Sequence, residues 1–446
     1  MTIIKENITD ELVPENYENF YDFYEDNYPA DVAEFLASLE EEVLLENIVK
    51  LSPAVLSEII IFFDEDLQKE ITSKLTTFKL AEILSNMYSD DAADLLGVLR
   101  VGKIKEVLKL MKENKALELK ELLEYDDESA GGRMTTEFIA FYADNSVGTV
   151  LNKIKDLMIE PEMIYYIYVI SRKKELLGVL SVRQLLTAHR DEQLNDIMNE
   201  NVVKVDVNLD QEEVAKILSK YDLLAVPVIN KHQQLVGIIT VDDILDIIEE
   251  ETTEDLFKMS GATSTYDIHG NFMEAVKKRI PWLFILLLGG LMSGTVIGRF
   301  EEALQSIAAL AIFIPVLMDM GGNVGTQSLT IVVRGLATDE LELKSFFKHL
   351  LNEFKAGIVM SLLIGGSLLL ITFIWHNNIA IAVVVGFSMV TTMITAVILG
   401  TSIPFIIDYF GIDPAVAAGP FITTLVDISG LFIYFTLATI LLERLV

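Results

Sequence analysis

The 446-residue sequence predicts a multidomain chain: an all-α superhelical N domain, an α+β tandem repeat, a connecting helix, and an all-α polytopic membrane domain with five transmembrane helices. Three observations predict it. Charge divides sharply: residues 281–446 hold 11 acidic and 6 basic residues, whereas residues 1–280 hold 56 and 28, a net of −28. Five long apolar stretches fall in the second part. In the first part, one block of sequence occurs twice, 59 residues apart.

The length alone argues for several domains. An acidic, aromatic leader, residues 1–29, lacks a basic start followed by an apolar run, so the N-terminal region is expected to stay in the cytoplasm. Residues 30–128 carry apolar residues at helical spacing throughout, as in "DVAEFLASLEEEVLLENIV" and "AEILSNMYSDDAADLLGVL". "DVAEFL" at 31–36 echoes in "DAADLL" at 91–96, which suits stacked helix pairs. The net of −28 repels nucleic acid and anionic membrane surfaces and suits cations, although acidic surfaces also serve solubility. With no cysteine, disulfides and thiolate metal sites are excluded.

"YVISRKKELLGVLSVRQLL" at 168–186 aligns without a gap on "PVINKHQQLVGIITVDDIL" at 227–245. Each copy reads as strand, turn, strand and helix, and the pair resembles tandem CBS domains, at 129–192 and 193–249. Such domains are regulatory modules that often bind adenine nucleotides through a Thr or Ser and an Asp three residues on. The second copy has Thr240 and Asp243 at that spacing, and the first has Ser181 and Gln184. A helix N-cap with an acid at its third position explains the same two residues without a ligand. The connecting helix, expected over 250–278, continues a run of acids from 242 to 255 whose mutual repulsion calls for neutralisation.

A bilayer core of roughly 30 Å takes about 20 apolar residues in helix. Spans are expected at about 281–299, 303–333, 354–375, 379–408 and 414–442. Lys277, Lys278 and Arg279 precede the first span, and Arg334, Lys344, Lys348 and Lys355 separate the second from the third. Both clusters are expected on the cytoplasmic side of the cell membrane, which places the C-terminus outside.

Two spans carry polar residues at helical spacing. In the second, Asp319, Asn323, Gln327 and Thr330 share a face, with Thr326 beside them, and Gly321, Gly322 and Gly325 permit close backbone approach. In the fifth, Pro420, Thr423, Thr424, Asp427 and Gly430 share a face. Pro420 has no N–H for the carbonyl of Val416. Carboxylate, hydroxyl and carbonyl oxygens are ligands for a hard cation, not for zinc or copper. Mg²⁺ dehydrates reluctantly, so its site should hold a hydrated ion through few carboxylates. No Walker-type phosphate loop, nucleophile elbow or HExxH is present, so neither an enzyme nor an ATP-driven pump is expected.

An acidic helical domain, a CBS tandem, an acidic connecting helix and five spans with "GGNVGTQ" and "DPAVAAGPFITTLVDISG" resemble the MgtE family of magnesium channels. The resemblance implies a homodimer in the lipid bilayer, with the pore between two membrane domains and Asp427 holding hydrated Mg²⁺. It places Asn323, Gln327, Ala417, Gly419, Pro420, Thr423 and Thr424 along the pore. Thr326 stands where many relatives are expected to have Asn, and Asp319 is an additional acid. Regulatory Mg²⁺ is implied at Asp90, Asp91, Asp94, Asp210, Glu212, Asp222, Asp243, Asp246, Glu251, Glu254, Asp255 and Asp413. When these fill, the connecting helix is expected to plug the pore; ATP at the CBS domains is a further implied ligand. Two rival readings are a broader Mn²⁺/Co²⁺ channel and a membrane-anchored Mg²⁺ or nucleotide sensor without transport.

Overall fold

The computed structural model describes residues 13–14, 19–155, 164–262, 272–301, 308–338, 340–417 and 419–445. Most of the acidic leader, residues 263–271 of the expected connecting helix and the start of the second expected span lie outside them. The chain divides into two compact units, residues 1–248 and 249–446.

In the first unit, short helices run from Phe20–Asp26 to Glu113–Leu122. Most are only 7 to 10 residues long because start signals recur. Ser52, Asp64 and Thr76 each accept a backbone N–H of the helix they open, and Pro29 and Pro53 occupy first helical positions. Lysines close the ends: Lys79 donates to the carbonyls of Val49 and Leu51, and Lys103 to those of Thr72 and Leu75. The leader's aromatic end joins this packing. Phe20 and Phe23 are buried, and Phe23 meets Phe35 edge-on at 5.2 Å.

The duplication folds as two three-stranded sheets of identical order: β1 (Ala140–Tyr142), β2 (Tyr166–Ile170) and β3 (Leu176–Ser181), then β4 (Val205–Asp206), β5 (Ala225–Ile229) and β6 (Leu235–Thr240). In each, the first pair is parallel and the second antiparallel, with a register shift at Val169/Ile170 and at Val228/Ile229. Lys174 and Gln233, equivalent positions, both take the left-handed backbone. The copies meet there reciprocally. Leu176 N–H donates to Gln233 and Leu235 N–H to Lys174, each at 3.0 Å.

In the second unit five helices are long and apolar enough to cross a membrane. They are Phe272–Arg299, Ile314–Ala337 (entered through a 3₁₀ turn, Ala308–Phe313), Phe346–His376, Ile379–Tyr409 and Gly419–Leu445. The fourth is the hub, with 61% of its most apolar window buried against the others; the first has 11%. Glycines let helices touch through backbone: a Cβ on Gly400 would lie 2.3 Å from the carbonyl oxygen of Gly325, and one on Gly365 would lie 2.9 Å from that of Gly386. The fifth helix starts at Gly419 rather than at Pro414. Pro414–Val416 forms a separate 3₁₀ turn whose cap, Asp413, accepts the N–H of Ala415 at 2.8 Å.

Candidate ion pathway and regulatory acidic sites

The fifth span assembles its oxygens in the first two turns. Thr423 Oγ1 donates to the carbonyl of Gly419 at 2.9 Å, and Thr424 Oγ1 to that of Pro420 at 2.8 Å. Pro420 lies at the second helical position, where its missing N–H costs the helix nothing. Ala417 is buried just before the helix. One turn beyond the threonines, Asp427 is half-buried, and its Oδ1 has no hydrogen-bond partner among the described residues. A buried, unpartnered carboxylate oxygen within a span is costly, which makes Asp427 a candidate ligand-binding residue.

The second span separates two faces. Gly321, Gly322 and Gly325 are buried; Asp319, Asn323, Gln327 and Thr330 are exposed. The buried face meets the fifth span, since Cβ atoms on Gly322 and Gly419 would stand 2.8 Å from Thr423 Cγ2 and 3.3 Å from Thr326 Cγ2. Thr326 therefore packs beside the helix start that Gly419 and Pro420 form. Asn323 and Gln327 each follow directly on a contacting residue, Gly322 and Thr326, and lead out to the exposed face.

In the first unit, acids distant in sequence share one field. Asp90 and Asp91 open the helix Ser89–Gly97, with Asp94 one turn on. Burial, then the charges of Asp243, Asp94, Asp242 and Glu137, push the Asp91 carboxyl up to about 7. Burial also raises that of Asp243, against the hydrogen bonds it accepts from Thr240. Those bonds, 2.6 Å from the hydroxyl and 3.2 Å from the N–H, form a helix cap. Ser181 and Gln184 form the matching capping box in the first copy. Asp210 caps the helix Gln211–Lys220 by accepting the Glu212 N–H. Glu212 pairs with Lys216 at 3.1 Å, and Asp222, past the helix end, has a left-handed backbone.

Asp246 sits exposed on the connecting helix, Val241–Met259, and Glu251 and Asp255 are half-buried there. Glu254 and Asp413 meet at a lysine: Lys258 Nζ lies 2.8 Å from Glu254 Oε1 and 2.7 Å from Asp413 Oδ2. Burial disfavours the charge on Lys258, but its bonds to Asp413 and Glu254 outweigh that and raise its pKa. Among the described residues, no three His, Asp or Glu side chains gather as a group that could hold a metal ion.

The chain is 38% identical to the magnesium transporter MgtE of Enterococcus faecalis over 329 residues, which cover 74% of this chain and 72% of that one. It is 40% identical to that of Bacillus subtilis over 326 residues, 73% and 72% of the two chains. The chain belongs to the MgtE family. The MgtE transporter of Thermus thermophilus is 38% identical over 330 residues, 73% of each chain. Family models agree in order: the MgtE intracellular N domain matches 27–128, the CBS domain 194–250, and the MgtE divalent cation transporter 314–437. A solved soluble part of a magnesium transporter is 36% identical and covers 52% of this chain and 91% of its own, with a TM-score of 0.49. A cytosolic domain of the Mg²⁺ channel MgtE in complex with ATP is 34% identical and covers 51% and 92%, with a TM-score of 0.47.

Besides the field that joins Asp91 to Asp243, two features of this MgtE chain escape sequence reasoning. Glu137 accepts from Lys115 at 2.6 Å, Thr135 Oγ1 at 2.9 Å and Ser89 N–H at 3.2 Å, which fastens the start of the acidic helix to the segment just before β1. Lys258 is the other. Its pairing with Glu254 one turn back is a readable spacing. Its pairing with Asp413, 155 residues on, is not.

Proposed function

We propose that the chain is one subunit of a homodimeric, Mg²⁺-selective channel of the cell membrane. It passes hydrated Mg²⁺ inward and is closed by cytoplasmic Mg²⁺. The orphaned Asp427 oxygen carries the reading. A hydrated Mg²⁺ presents water hydrogens, so its site needs acceptors and net negative charge rather than a tight cage. Asp427 supplies the charge. Thr423 and Thr424 commit their protons to backbone carbonyls, which leaves their oxygen lone pairs as acceptors.

The exposed polar face of the second span supports a second copy. On a lone chain Asp319, Asn323, Gln327 and Thr330 would face hydrocarbon, where such groups are expensive. Closure by Mg²⁺ draws on the acids around Asp91, Asp94 and Asp243. Binding relieves their repulsion and favours whichever arrangement gathers them. Glu251, Glu254, Asp255 and Asp413 would act likewise near the membrane. A nucleotide at Thr240 and Asp243 would have to take over the 2.6 Å hydrogen bond that caps the helix. The basic clusters before the first span and between the second and third support an N-terminal region inside and a C-terminus outside.

The test is flux into proteoliposomes holding the full chain, with Mg²⁺, Ca²⁺, Mn²⁺ and Co²⁺ offered side by side, and again for Asp427→Ala. Mg²⁺ flux that Asp427→Ala abolishes, in a variant that still forms the dimer, is expected. Undiminished flux in the variant sinks the pore assignment, and equal Mn²⁺ or Co²⁺ flux favours the broader channel.

A further inference from the structure

The end of the connecting helix is fastened to the mouth of the fifth span by charge and by shape together. Asp413 is aimed by its own turn: Oδ1 is held by the Ala415 N–H at 2.8 Å, which leaves Oδ2 pointing at Lys258 Nζ, 2.7 Å away. Lys258 in turn holds Glu254 at 2.8 Å. The helix then stops at the contact, with Gly261 in the left-handed conformation (φ 72°) and the Ala262 N–H donating back to Phe257 at 2.9 Å. A Cβ on Gly261 would stand 3.3 Å from Pro420 Cγ, and one on Gly419 would stand 3.3 Å from the carbonyl oxygen of Met259. Glycines on both sides thus admit an approach that other residues would crowd.

We propose that Lys258 is a tethered competitor for regulatory Mg²⁺: its ammonium latches the connecting helix onto the mouth of the fifth span by bridging Glu254 and Asp413, two carboxylates that a divalent ion would otherwise bridge. The inference rests on the gating reading above and adds a closed state that needs no metal at this position. An isolated surface ion pair contributes little. This one is held in place by the aimed carboxylate and the glycine contacts, and charge-assisted bonds so fixed are the stronger kind.

The experiment measures flux of the full chain in proteoliposomes with a chelator on the cytoplasmic side. Lys258→Met keeps the apolar stem and removes the charge, and flux is expected to rise about fivefold, the effect of a partly exposed charge-assisted contact. Asp413→Asn keeps an oxygen for the Ala415 N–H and is expected to raise flux by a similar factor. The double variant should rise no further, and Lys258→Arg should stay near the parent. Unchanged flux in both single variants, or effects that multiply in the double variant, overturns the latch. The gating reading fails separately, if cytoplasmic Mg²⁺ leaves the parent's flux unaltered; the chelator comparisons judge the latch in either case.

Discussion

Thr423 donates its hydroxyl proton to the carbonyl oxygen of Gly419 across one turn of the fifth span, at 2.9 Å. Thr424 repeats the bond to Pro420 at 2.8 Å. Their methyl groups pack where Gly322 and Gly289 make room, 2.8 and 2.1 Å from those glycines' Cβ positions. Thr→Val at either position should therefore preserve the shape and remove the hydroxyl, both as donor to the helix carbonyl and as acceptor towards the ion. Mg²⁺ flux is expected to fall about tenfold, the worth of one hydrogen bond to a charged species, with dimer content unchanged. Flux at the parent level in Thr423→Val and Thr424→Val would remove the hydroxyls from the ion's path.

Gly400 and Gly325 bring the fourth and second spans into backbone contact. A methyl at Gly400 meets a carbonyl oxygen at 2.3 Å, and no side chain can yield there. Gly400→Ala is expected to cost about 1–3 kcal/mol, seen as a lower melting temperature in detergent. Gly290→Ala, with nothing within 4 Å, is the control and should melt with the parent.

Glu137 and Lys115 have side chains only 17% and 18% exposed. Removing one partner strands the other, so Glu137→Ala should destabilise the first unit by about 3 kcal/mol in chemical denaturation of the full chain. Burial alone would raise the Glu137 carboxyl, but its bonds from Lys115, Ser89 and Thr135 win and depress it. Its contribution to stability is thus present above the unfolded carboxylate range and fades as pH falls through the folded value.

Asp91 has the opposite sign. Its folded value of about 7 lies above the ordinary 3.8, so the folded chain holds the proton more tightly than the unfolded chain. Its contribution is most favourable below pH 3.8 and is lost as pH rises towards 7. In chelator, Asp91→Asn should melt higher than the parent at pH 8, by about 2–4 °C for each kcal/mol recovered. The gap should vanish near pH 4, and Mg²⁺ at pH 8 should narrow it by stabilising the parent. A variant that melts lower than the parent at pH 8 would contradict the repulsion.

Periodicity made much of this visible in advance. The spans follow from hydropathy, and the CBS duplication from a gapless 59-residue shift that returns as matched sheets, register shifts and left-handed residues. The face shared by Thr423, Thr424 and Asp427 follows from helical spacing. Contacts made across long separations were not readable: Lys258 with Asp413, Glu137 with Ser89, Asp91 with Asp243. Hydropathy also ran the fifth span back to Pro414, because an apolar 3₁₀ turn and an apolar helix look alike on that scale; Asp413 and the two prolines divide them.

The glycine contacts carry a mechanical consequence. Gly325 against Gly400, Gly321 against Val426 and Gly430 against Thr392 bind the second, fourth and fifth spans with no slack for one to slide past another. Among the described residues, a Cβ on Gly290, Gly294 or Gly298 of the first span would have nothing within 4 Å, and one on Gly289 would meet Thr424. The three inner helices should travel as a single stiff block and the first span as a pliant strut. In a two-copy channel, conductance would then be adjusted by tilting whole blocks about their shared axis, while the lining around each Asp427 keeps its shape.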